Sequence, residues 1–391
     1  MRFSERAARI MAVGFMLTSL LLAGALGSTY VYLLRVMEKK VEPLPPKPVQ
    51  AATPPVSPLL MRYQLEVPGR GEIFPALVSA ANYWPVAILT ISNTAERAAL
   101  QTVSAEVPGW TRRAEQTVVI GPRETRVVPL EPELLPAAFG NEEILRATLQ
   151  VRVIDTAGAV SFAQTRGVLL HAASDLYWGK KFSNAQFVAR WVTPHDPAIL
   201  ELVSRARKWA PRGRMPGYNQ PRPSPEALEA QVRTQARAVF DSLRQSGISY
   251  VNSIFTFGNF AGDAQRIRLP RETLQLRSAN CIDVSVAFAA AMENLGLHPV
   301  IVIVPGHAFA GVRLGPQSPA VLYLDLTVLP KGSFDRAVSR AQYWLRKSAP
   351  NEVLTVDVAA ARTLGIYPMP VNAGRTIAAL PEDHQGEIDA H

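Results

Sequence analysis

Cys281 is the single thiol in a chain of 391 residues, and it stands just before the apolar run Ile282–Leu295, which ends at Gly296. That run predicts a helix with the thiol at its N-terminus, where the helix dipole and free amide groups favour the thiolate, the form that acts as a nucleophile. The β-branched stretch Pro299–Val304 predicts a buried strand, Pro305-Gly306 a turn, and His307 the opening of a second strand to Leu314. A third strand, Val321–Thr327, carries Asp325. Nucleophile, base and orienting carboxylate thus follow in order on adjacent elements. A Cys-His-Asp triad needs this arrangement: the imidazole takes the thiol proton, and the carboxylate fixes the ring's tautomer and stabilises the imidazolium. One cysteine excludes an intramolecular disulfide framework and any all-cysteine metal site within the chain. His171, His195 and His298 have no second ligand at metal spacing, and His384 and His391 lie in a polar tail, so neither a metal nor a cofactor is expected.

Five segments carry a family resemblance. Ala279-Asn280-Cys281-Ile282-Asp283, Phe288-Ala289-Ala290, Leu295-Gly296-Leu297, Pro305-Gly306-His307-Ala308-Phe309 and Tyr323-Leu324-Asp325-Leu326-Thr327 resemble the bacterial transglutaminase-like branch of the papain-like superfamily. The likeness extends upstream through Gln265–Leu274 and covers about residues 190 to 370. It implies that Cys281 is the nucleophile, His307 the general base and acid, and Asp325 the orienting carboxylate. It also implies cleavage, deamidation or exchange of amide bonds through a thioester. Gln265 stands as a supporting oxyanion donor, a role that the Cys281 backbone amide can also fill. Asp283 matches the family's Cys-x-Asp and is expected to cap or brace the helix start. The small glycine common before the nucleophile is replaced by Ala279-Asn280.

Other elements must position these residues. Ile10–Leu34 is an uncharged apolar stretch flanked by Arg9 and Arg35, long enough as a helix to cross the hydrocarbon core. We expect a transmembrane helix at 10–35 with a cytoplasmic tail at 1–9, the remainder being extracytoplasmic and anchored as a single-pass protein in the inner membrane. A cleaved signal peptide ending near Ala23-Gly24-Ala25 is the alternative. Residues 41–60 hold seven prolines and predict a semi-rigid linker. From 61 to 173, seven short runs between Tyr63 and Leu170 predict an antiparallel sandwich, similar in style to immunoglobulin-like envelope modules. A transglutaminase-like domain is expected at 185–370, with helices over Pro194–Ala210, Pro225–Gly247, Phe334–Lys347 and Asp357–Leu364. Asn252–Asp263, with three phenylalanines and two glycines, could wall the cleft, and 371–391 reads as a disordered tail. The expected fold class is therefore multidomain: one transmembrane helix, an all-β immunoglobulin-like sandwich, and an α+β transglutaminase-like/papain-like domain.

Composition excludes a wholly disordered chain, since 48% of residues are hydrophobic and 19% charged. The net charge of +9 is densest at Arg205, Arg207, Lys208, Arg212 and Arg214 around Trp209. That cluster reads as the cationic end of an amphipathic helix, and no nucleic acid is expected as a partner. The function expected is that of a membrane-anchored, envelope-facing cysteine amide hydrolase or acyl transferase acting on protein or peptide, with the sandwich available to an envelope partner. The alternative is a catalytically idle adaptor of the same fold.

Overall fold

The computed structural model describes residues 60–78, 85–219, 224–251, 264–329 and 331–370. Strict alternation of apolar and polar residues builds its first half. In β7 (Leu145–Asp155), Leu149, Val151 and Val153 are buried while Thr148, Gln150 and Arg152 are exposed, the period-two signature of a sheet with one wet face. The same pattern runs through β3 (Ala87–Asn93) and β4 (Ala99–Glu106). With β1 (Met61–Glu66), β2 (Glu72–Ile73), β5 (Ala114–Ile120), β6 (Thr125–Leu130) and β8 (Val160–Leu170), they form a three-stranded sheet, β1-β3-β6, and a five-stranded one, β2-β8-β7-β4-β5. Leu89 and Ile91 from the first sheet share a core with Val103, Leu149 and Val151 from the second.

Beyond β8 the chain forms β9 (Asp175–Tyr177) and then helices that begin where their caps dictate. Asp196 Oδ1 accepts from Ala198 N at 3.0 Å to start α1 (Pro197–Ala206), and Ser224 Oγ accepts from Ala227 N at 3.2 Å to start α2 (Pro225–Gln245). Three residues of the basic cluster at the end of α1 have partners nearby. Arg205 Nη1 reaches Glu201 at 2.6 Å one turn back, Arg207 Nε donates to Gly213 O, and Lys208 lies 4.1 Å from the Trp209 ring centre. There follow β10 (Ser249–Tyr250), β11 (Ala264–Arg266), α3 (Pro270–Leu276), β12 (Ser278–Ala279) and α4 (Cys281–Asn294). The β11 strand pairs antiparallel with β9, and β12 pairs parallel with β10.

An antiparallel sheet of order β15-β14-β13-β16 closes the fold: β13 (Pro299–Val304), β14 (His307–Arg313), β15 (Val321–Leu324) and β16 (Leu354–Asp357). Both faces of β13 are covered, so all six residues are buried and the strand shows no alternation. Its two residue sets nevertheless part company. Ile301 and Ile303 join the core around α4, whereas Val300, Val302 and Val304 pack with Phe309 and with Ala341 of α5 (Phe334–Lys347). A short α6 (Val358–Thr363) is the last helix among the described residues.

Two expectations about the fold are corrected. Among the described residues no helix is long and apolar enough to cross a membrane. The longest, α2, would reach about 30 Å but carries Glu226, Glu229, Arg233, Arg237, Asp241 and Arg244. The apolar α4 has 14 residues and would reach only about 21 Å. The stretch expected to span a membrane, 10–35, lies outside the described residues, as do most of the 41–60 linker, the Asn252–Asp263 segment and the 371–391 tail. The second correction concerns the sandwich, expected as all-β and antiparallel. Phe74, Ala76 and Leu77, at the edge of the sandwich, belong to the same core as α1, α2 and α4, so the sandwich is not a separately closed body. Nor is it purely antiparallel, because the short β2 pairs parallel with β8.

Candidate active site

Local rules place each of the three expected residues. Asn280 caps α4: its Oδ1 accepts from Ile282 N at 2.9 Å and from Asp283 N at 3.0 Å, while Asp283 Oδ2 accepts in return from Asn280 N at 3.2 Å. This reciprocal capping box fixes the first turn and makes Cys281 the first helical residue, with its side chain part-exposed. Asp283 has a second task, since its Oδ1 accepts from Arg268 N at 2.9 Å and ties the segment after β11 to the helix start. Burial pushes the Asp283 carboxyl up, against the hydrogen bonds from Arg268 and Asn280 that pull it down.

His307 sits at the mouth of a tight hairpin. Val304 pairs with His307 across Pro305-Gly306, and Gly306 takes φ 71, a conformation costly for other residues. Ala310 pairs with Leu324, so the register places Asp325 opposite Phe309 and diagonal to His307. The strands can close because Gly311 has no Cβ, which would stand 2.8 Å from Val321 Cγ1 and 3.0 Å from Leu322 O.

At the centre of the site is a fully buried carboxylate. Asp325 Oδ2 accepts from His307 Nε2 at 3.1 Å, Arg340 Nε at 3.0 Å and Trp344 Nε1 at 3.1 Å, and Oδ1 accepts from the Thr327 amide at 3.1 Å and its hydroxyl at 2.6 Å. Burial by itself raises the Asp325 pKa, but the hydrogen bonds from His307 and Thr327 and the His307 charge outweigh it and hold the group below its ordinary range. His307 experiences the converse. Burial opposes its charge, yet hydrogen bonds to Asp325 and to Cys281, with the charges of both, lift its pKa from 6.5 to about 9. With Nε2 facing the carboxylate, Nδ1 is the nitrogen left to exchange a proton with the thiol. The Trp344 ring lies 4.6 Å from the imidazole, tilted 30°, and roofs the pair.

The supporting residues divide. Asp283 holds the helix start through contacts confined to Arg268 and the capping box. Gln265 lies on β11, opposite Leu176, and its Oε1 accepts from Trp178 Nε1 at 3.2 Å, which orients the amide from the β9 side. Three participants escaped the sequence reading: Arg340, Trp344 and Tyr250. Arg340 and Trp344 are one helical turn apart on α5 and reach the carboxylate together. That i, i+4 pairing beside the buried Ala337 and Ala341 was the one available signal. Tyr250 on β10 pairs with Ala279, two residues before the thiol, and its phenol pKa is raised first by partial burial and then by the Cys281 and Asp325 charges.

Among the described residues no group of three or more His, Cys, Asp or Glu side chains could hold a metal ion. The arrangement instead suits nucleophilic chemistry: a part-exposed thiol at a helix start, an imidazole charged over a wide pH range, and a carboxylate that cannot turn away. No family model and no curated protein matches this chain. Among solved structures it is similar in part to a FixG-related protein from Vibrio parahaemolyticus, at 15% identity over 30% of this chain and 98% of that one, with a TM-score of 0.19 that is too low to carry any inference.

Proposed function

We propose that this protein is a transglutaminase-like cysteine amidase that cleaves or transfers acyl groups of protein or peptide amides through Cys281, His307 and Asp325. The observation that carries the reading is the position of His307, held by Asp325 Oδ2 at 3.1 Å and hydrogen-bonded to the Cys281 side chain, with a pKa lifted to about 9. Such an imidazolium stabilises a thiolate at neutral pH. The thiolate attacks the amide carbonyl carbon, and the oxyanion is met by backbone or side-chain donors such as the Cys281 amide and Gln265. The C–N bond then breaks as the imidazolium proton passes to the leaving amine. Water, or an acceptor amine, gives a proton to the neutral imidazole and attacks the thioester. The C–S bond breaks, releasing the acid or the new amide and restoring the thiol. Asp325 stays ionised throughout, because five donors surround it.

A small activated ester tests the chemistry without knowledge of the substrate. With p-nitrophenyl acetate, the reading expects a burst of one equivalent of nitrophenol per chain and an acetyl group on the Cys281 peptide, both lost in Cys281→Ala and strongly slowed in His307→Ala. A wild-type protein with no burst and no acetylated Cys281 would overturn it and leave the idle adaptor.

A further inference from the structure

We propose that the exposed face of α5 is a recognition surface for acidic peptide segments, so that the substrates of the proposed site carry Asp or Glu within a few residues of the reacting amide. The substrate part of this inference, and the choice of a polypeptide over a phosphate-rich polymer as occupant, rest on the cysteine-amidase reading; the anion-binding surface itself stands on its own observations.

Two adjoining hollows lie against α5, and they share Arg336 and Arg340. One, of about 330 Å3, is lined by Thr327, Val328, Lys331, Gly332 and those two arginines. The other, of about 510 Å3, is lined by the same arginines with Ser339, Tyr343 and Trp344. Their walls thus contain three cations and no carboxylate. The helix adds Arg346 and Lys347 against one acid, Asp335, which is already paired with Arg237 at 2.8 Å. Among the described residues neither Lys331 nor Arg336 has an ion-pair partner, whereas Arg340 turns inward to Asp325 through its Nε. Lys331 and Arg336 thus line one hollow with no counter-charge, and an anionic ligand relieves their mutual repulsion.

The surface is continuous with the chemistry. Thr327 and Arg340 line the hollows and also bond Asp325, and Trp344 lines the second hollow while covering His307 at 4.6 Å. Lys347 continues the line, its Nζ 5.0 Å from the Trp344 ring centre. Spacing favours an extended chain as the occupant. Arg336 and Arg340 are about 6 Å apart along the helix axis, close to the ~7 Å between alternate residues of a strand. From Arg336 to Lys347 the axis covers about 16 Å, the length of about five extended residues. A peptide with two acids at alternate positions therefore spans Arg336 and Arg340, and Lys347 stands about 10 Å further along the axis, about three extended residues on. Because the site acts on amides, an acidic polypeptide is favoured over a phosphate-rich polymer.

Fluorescence anisotropy of the full chain tests the surface, using fluorescein-labelled repeats of Glu-Ala, Gln-Ala and Lys-Ala and an oligothymidylate of equal charge as probes. The Glu-Ala repeat should bind in low salt, weaken as salt rises, and lose at least about tenfold in affinity in the doubly substituted Lys331→Glu, Arg336→Glu protein. The milder Arg336→Gln should lose severalfold. Equal binding of Gln-Ala, tighter binding of oligothymidylate than of Glu-Ala, or unchanged binding in these variants would overturn the inference. The acetylation burst, measured on the same wild-type sample, separates the two claims. A burst without Glu-Ala binding removes the surface and keeps the enzyme, and binding without a burst removes the enzyme and with it the substrate part of the inference.

Discussion

Among the described residues two histidines are held by carboxylates, and one of the two faces a nucleophile. His307 has Asp325 on Nε2 at 3.1 Å and the Cys281 thiol on its other side, under the roof of Trp344. His171 has Glu72 on Nε2 at 2.6 Å, and Asp175 stands 3.6 Å from its Nδ1, a nitrogen with no hydrogen-bond partner among the described residues. Its ring is stacked on Phe74 at 3.9 Å, and the group is 1% exposed where the sandwich meets the helical half. An imidazole held by a carboxylate is therefore not what distinguishes a reactive site. At His307 the second nitrogen addresses a thiol that solvent can reach, while at His171 it meets another acid inside a sealed joint. In the proposed reading one pair activates; the other fastens two parts of the fold together.

Substitutions can break this contrast from either side. The largest effect is expected from Asp325→Asn, which keeps the shape but removes the charge that holds the imidazolium. Alkylation of Cys281 by iodoacetamide at neutral pH should slow by on the order of 100-fold or more, whereas Glu72→Gln should leave it within about twofold of wild type. Equal losses in both would erase the distinction. His171→Ala comes next, because it leaves Glu72 and Asp175 buried without the ring between them. It should cost about 3 kcal/mol of unfolding free energy in urea while sparing the alkylation rate.

A third prediction follows from the His307 proton. The folded state binds that proton more tightly than the unfolded chain does. The resulting stability is fully present below about pH 6.5 and disappears as pH rises through about 9. Urea midpoints should fall across that window in the wild type and stay flatter in His307→Ala. A wild-type profile with no fall between those values would contradict the linkage. The smallest effect is expected from Asn280→Ala, which removes the cap of α4 at a cost of about 1 kcal/mol, seen as faster amide exchange at Ile282 and Asp283 with β13 unaffected.

What could be read in the sequence was what neighbouring residues decide together. The all-apolar Pro299–Val304, the Pro305-Gly306 turn and the Asn280 cap are local signals, and they become β13, its hairpin and the start of α4. The order Cys281, His307, Asp325 was legible for the same reason, since the elements carrying them are consecutive. Contacts made by helix docking were not. Arg340 and Trp344 approach Asp325 only because α5 lies across the Val300, Val302 and Val304 face of the sheet, and nothing in Phe334–Lys347 alone announces that face. The Glu72–His171 pair joins residues 99 positions apart, beyond any motif. The strands of the sandwich were legible from alternation, but its fusion to the second core through Phe74 and Leu77 was not, because an apolar residue does not say which core it will enter. The apolar 10–35 stretch was the strongest hydropathy signal of all, and no helix among the described residues matches it in length and apolarity.

The central claim is that His307 activates Cys281. The most direct test is the rate of iodoacetamide alkylation of Cys281 against pH in the full chain, with His307→Ala alongside. The account predicts rapid labelling already at about pH 6, slowed by on the order of 100-fold in the substituted protein. Labelling that needs denaturant, or that rises only near the ordinary thiol range of about 8.5 and is indifferent to the substitution, would contradict it.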